Sequence, residues 1–161
     1  GCSGGGYKKP IDTLIKALKT GKGGDFCDAS MPGFMIDSLV ELTSKSKKQI
    51  VEGAKFSFDE NFKNRNKQIT EIYGKNWSIS YKITDTYRLD KEDLKDLAET
   101  LVEYYSLNSK PPKLQDGYEL EFDLTVKGKD DKVTKEIEAT VLKYKGKWYI
   151  DQRIFSVLDF Y

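Results

Sequence analysis

Tyr118-Glu119-Leu120-Glu121-Phe122-Asp123-Leu124-Thr125-Val126 alternates apolar and polar side chains without a break. Successive side chains of an extended chain point to opposite faces, so this is a strand with one buried and one solvated side. Gly128 to Lys132 supplies a turn, and a second run passes through Ile137, Ala139 and Val141. Lys145-Gly146 then turns the chain into Trp148 to Phe155. Three consecutive strands joined by tight hairpins are predicted.

Working towards the N-terminus, the same period of two returns in Trp77, Ile79, Tyr81 and Ile83, with Ser78, Ser80, Lys82 and Thr84 opposite them. Asp85 and Tyr87 continue the first series. Between this strand and the last three, Asp90 suits a helix N-cap, and Leu94, Leu97, Ala98, Leu101, Val102 and Tyr105 form one apolar face. Pro111 and Pro112 close that segment. Near the start, Pro10 fits a first helical turn, Ile11, Leu14, Ile15 and Leu18 share a face, and Gly21, Gly23 and Gly24 end the helix. A second segment begins near Asp25 and breaks at Met31-Pro32-Gly33; Phe34 to Leu42 resume as a helix. Thr43 to Gln49 reads as a link or a solvated helix turn. Phe58, Phe62, Ile69 and Ile72 share an approximate stripe, which predicts helix from about 60 to 73, ended by Gly74. The expected fold is α+β: N-terminal helices and one further helix covering one face of a curved, four-stranded antiparallel sheet. Residues 8–161 form the single domain and residues 1–7 a flexible tether.

Composition narrows the chemistry. The 161 residues carry 27 Lys and Arg against 26 Asp and Glu, a net charge of +1. Residues 1–75 hold a balance of +4 and residues 76–161 one of −3. Neither is the concentrated basic surplus that a nucleic-acid partner requires. Histidine is absent, which removes Ser-His-Asp and Cys-His triads and the HExxH zinc site. Cys2 and Cys27 are too few for a four-thiolate zinc site or a disulfide framework. Cys27 sits among apolar residues and reads as a core position. No metal and no cofactor are expected.

Two resemblances follow from quoted residues. Gly1-Cys2-Ser3-Gly4-Gly5-Gly6 resembles the mature start of a bacterial lipoprotein of Gram-positive type, in which the cysteine carries lipid and a Gly/Ser-rich arm leads to the folded domain. That resemblance implies a lipid-anchored protein on the outer face of the cytoplasmic membrane, attached through Cys2. Tyr144-Lys145-Gly146-Lys147-Trp148-Tyr149-Ile150-Asp151 resembles the terminal hairpin of cystatin-like or NTF2-like domains found in lipoproteins of unknown function. Enzymatic members of that group place acidic or histidine side chains in a cavity between sheet and helices, and no motif here permits their roles to be carried over.

Candidate sites stand beside plainer readings. Asp85, on the apolar side of its strand, is the candidate general acid or base, because desolvation raises a carboxyl pKa; a bend that turns it to solvent is the simpler account. Trp77, Tyr81, Tyr105 and Trp148 are expected to line a pocket with Asp85, or else to fill the core. Glu119, Glu121 and Asp123 form an acidic row suited to a cation or to solvent. Lys45, Lys47 and Lys48 suit anionic envelope polymers or plain surface charge. Gly21-Lys22-Gly23-Gly24 lacks phosphate-loop spacing. The leading reading is a non-enzymatic surface domain that binds a small ligand, a peptide or an envelope component. A small NTF2-like enzyme and a structural or homodimerising module are the alternatives.

Overall fold

The alternating stretch forms strand β2, Asp116–Lys127, in the computed structural model, which describes residues 3–160. With β1 (Ser78–Arg88), β3 (Lys132–Tyr144) and β4 (Lys147–Ile150) it builds an antiparallel sheet whose strand order follows the chain. The helices are α1 (Lys9–Thr20), α2 (Gly24–Ser30), α3 (Gly33–Thr43), α4 (Lys47–Tyr73) and α5 (Lys91–Tyr104). Short 3-10 turns cover Ser3–Lys8 and Gln152–Val157. Among the described residues no helix is long and apolar enough to cross a membrane.

The inner face of the sheet carries Leu120, Phe122, Leu124 and Val126 of β2, joined by Ile137 and Val141 of β3 and Ile150 of β4. On it lie Leu14 and Leu18 of α1, Phe26 of α2, and Phe62 and Ile69 of α4. Phe26 meets Phe58, Phe62 and Phe155 edge-on, each with ring centroids 5.3 Å away. The apolar alternation read in the sequence is therefore the wall of this core.

Coverage of the sheet differs from the expectation of a single covered face. Leu142 and Tyr149, in register with Gly117, point to the outer side. Leu142 and Tyr149 pack there against Phe34 and Met35 of α3 and Ala98 and Leu101 of α5. Side chains cross the plane on alternate positions, so the β4 end carries apolar groups on both sides and both need a cover. The rest of the outer face, from Glu119 to Thr125 on β2, stays uncovered.

Helix α4 is longer than the stripe predicted. Ser46 and Gln49 form a reciprocal capping box at its start, which satisfies two otherwise orphaned amides. The segment read as a link or a solvated helix turn thus contains the first turn of a 27-residue helix. Its buried side chains are Phe62 and Ile69, so most of its circumference is polar and the periodicity is faint.

Candidate functional site

The register of β1 on β2 breaks once. Ile83 faces Phe122 and Asp85 faces Glu121, leaving Thr84 as the extra residue of a bulge. The Thr84 hydroxyl donates to the Glu121 carbonyl at 3.2 Å. An extra residue shifts the parity of everything after it. Asp85 and Tyr87, expected on the apolar side, are therefore turned outward and exposed. The assignment of Asp85 as a desolvated acid or base is corrected on that ground.

The bulge assembles a different feature. Asp85, Glu121 and Glu138 now stand opposite one another across β1, β2 and β3. Glu119 lies between Tyr87 and Thr140 in the neighbouring row, and Asp123 lies between Lys82 and Glu136 in the next. Like charges directly opposite in a sheet are destabilising. Among the described residues none of Asp85, Glu119, Glu121 and Glu138 has an ion-pair partner. They line an open cleft of about 480 Å³, bounded on its far side by Arg153, Ser156 and Val157. A smaller recess of about 250 Å³ continues beneath α5, where Asp93 and Asp96 join Glu119.

Arg153 is the cation at this cleft, and it is already engaged. Asp151, buried at the end of β4, takes its Nη2 at 2.5 Å and its Nε at 2.7 Å. The other carboxylate oxygen of Asp151 accepts from the Arg153 amide at 3.0 Å and from the Tyr105 hydroxyl at 2.8 Å. The hydrogen bond from the Arg153 guanidinium to Asp151, foremost, raises the Arg153 pKa. Burial and the neighbouring Asp151 charge push the Tyr105 phenol well above its ordinary value. This network locks the strand end to α5, and its oxygens are fully used.

The five residues expected to share a pocket occupy separate places. Trp77 is a core side chain; its indole donates to Thr70 at 3.0 Å and lies under the Lys19 ammonium. Tyr81 is half-buried and donates to Asp12 at 2.6 Å. Tyr105 belongs to the Asp151 network, and Asp85 to the acidic cleft. Trp148 lines a separate cleft between α1, α2 and β4. Among the described residues no group of carboxylates and thiols has the geometry to hold a metal ion. Cys27 is a core residue beside Met31, and burial pushes its thiol pKa up. Cys2 lies outside the described residues. Sequence reasoning missed Asp151, Arg153 and Glu138 as neighbours of the Glu119–Asp123 row.

Comparison with protein families, with curated proteins and with solved structures found no match to this chain.

Proposed function

We propose that this chain is a non-enzymatic recognition domain that holds a positively charged ligand, a basic peptide in particular, on the acidic part of its outer sheet face. The observation that carries the reading is the Asp85–Glu121–Glu138 row: three carboxylates opposed across paired strands, without an ion-pair partner among the described residues. A face serving solubility alone is best built from interspersed charges of both signs. Stacking one sign costs stability, and a concave site lined by that sign concentrates counter-charge. The cleft volume of about 480 Å³ falls within the range of ligand sites. Amines or guanidinium groups of a bound peptide would neutralise the row.

In the same reading the domain is a cystatin-like or NTF2-like module of a bacterial lipoprotein, held at the outer face of the cytoplasmic membrane by lipid on Cys2. The support is the Gly1–Gly6 composition, the aromatic terminal hairpin and the helix-covered antiparallel sheet. Mass spectrometry of the protein from its native host would find an acyl-modified Cys2; secretion with an unmodified Cys2 contradicts the anchor.

Binding is tested by titrating the chain calorimetrically with a Lys/Arg-rich hexapeptide at low ionic strength. Saturable binding is expected, weakened about tenfold by the double substitution Glu121→Gln, Glu138→Gln and weakened further by added salt. Absence of saturation, or equal affinity of the double variant, overturns the assignment.

A further inference from the structure

The Trp148 cleft differs from the acidic one in charge and in lining. It has a volume of about 610 Å³ and is lined by Lys9, Lys16, Lys22 and Lys147 against Asp25 and Asp28. Lys9, Thr13, Lys16 and Thr20 recur at helical spacing along α1, so they form one stripe of that helix. Lys22 follows from the α1–α2 loop and Lys147 from the opposite side, on β4. Among the described residues none of the four makes an ion pair, although two aspartates line the same cleft and the Lys147 ammonium lies over the Tyr149 ring, 5.3 Å from its centre. The base is apolar, formed by the buried Pro10, Ala17 and Ala29, and the wall is the Trp148 indole. Trp148 is fixed from behind by Tyr118, at 5.8 Å between rings, and Tyr7, at 6.2 Å.

The geometry points to a second binding site here, for a phosphate-bearing ligand that also has an apolar or planar part. Lysine ammonium groups act as movable point charges and bind phosphate oxygens in that way, without the fixed fork that arginine offers to carboxylate and phosphate alike. The small side chains at the base leave the volume open, and the indole supplies a flat surface to receive the apolar part. The site is separate from the acidic face, so each stands or falls alone.

Two sources carry this chemistry, a free phosphoester and an anionic lipid headgroup, and the tryptophan emission, shared by half-buried Trp148 and buried Trp77, is read for both. The full chain is titrated with phenyl phosphate in solution, then with vesicles of phosphatidylglycerol and of phosphatidylcholine. The same titrations use K16E/K22E and, as a control with an identical charge change elsewhere, K45E/K48E. The expected result is a saturable emission change with phenyl phosphate, with phosphatidylglycerol or with both, reduced at least about tenfold in K16E/K22E. The control variant should retain it, and phosphatidylcholine should give none. A response to vesicles alone identifies a headgroup site; a response to the soluble ester identifies a phosphoester site. No saturable response to any phosphate probe, or equal losses in the two variants, overturns the proposal. Unchanged circular dichroism and unfolding midpoints would show that the exposed lysine substitutions leave the fold intact.

Discussion

At the level of single residues, Asp151 is the side chain on which most depends. Its oxygens hold the Tyr105 hydroxyl, the Arg153 amide and the Arg153 guanidinium. Asp151→Ala would strand a half-buried phenol and a partly buried cation, a loss of about 3 kcal/mol measurable by urea unfolding. Tyr105 also sets an alkaline limit. Its pKa in the folded state is raised by burial and by Asp151 above its ordinary 10.0, so the folded protein keeps a proton that the unfolded chain releases. The resulting stability is complete below about pH 10 and declines above it as the unfolded chain ionises. Tyr81, raised by burial and by its bond to Asp12, adds to the same decline. Tyr105→Phe should lower stability at pH 8 by about 1 kcal/mol, and its deficit against the parent should narrow above about pH 10. This site was not legible in the sequence, because 46 positions separate Tyr105 from Asp151 and neither belongs to a spaced motif. The local signal that did exist was Asp151 at the end of an aromatic strand, a residue type suited to cap the turn that follows.

Among the elements, the loop between α1 and α2 approaches α4 so closely that only glycine fits at position 23. A Cβ there would lie 2.2 Å from the Phe62 ring and 2.4 Å from the Phe58 carbonyl oxygen. The amides of Gly23 and Gly24 both donate to Asp59, each at 2.8 Å. Gly23→Ala should cost roughly 2 kcal/mol or more, seen as a lowered unfolding midpoint, because the clash is with backbone as well as with a ring. Periodicity made most elements readable. α1, α3, α5 and strands β1, β2 and β3 coincide closely with the apolar spacings, and Asp90 caps α5 as its sequence suggested; the last strand, expected over Trp148 to Phe155, ends at Ile150, where the chain passes into the 3-10 turn Gln152–Val157. The start of α4 was readable too, through Ser46 and Gln49, but the polar composition between Thr43 and Gln49 masked it. The bulge at Thr84 was not readable. Thr84, Asp85, Thr86 and Tyr87 are tolerated on either face of a sheet, so one extra residue leaves no mark on the pattern. That single residue decides where Asp85 points.

Over the whole molecule, each sign of charge has a local concentration, although Lys82, Lys127 and Lys132 share the outer sheet face with the carboxylates and Asp25 and Asp28 share the cleft with the lysines. Carboxylates gather on the uncovered outer side of the sheet, while lysines of α1, the following loop and β4 gather around Trp148. The near-zero net charge of the sequence conceals this separation, and the mild imbalance between its halves was its trace. The three carboxylates of the Asp85–Glu121–Glu138 row come from three strands. Composition shows Glu119, Glu121 and Asp123 as one row, but only the register adds Asp85 and Glu138. A face kept acidic at a cost in stability should trade binding against folding. The decisive measurement is urea unfolding of the parent and of Glu138→Lys, each with and without the Lys/Arg-rich hexapeptide. Glu138→Lys should be more stable than the parent by about 0.5 to 1 kcal/mol, and the peptide should stabilise the parent while leaving the variant nearly unchanged. Equal or lower stability of the variant, together with no peptide-induced shift in the parent, would contradict it and leave the acidic face as solvated surface.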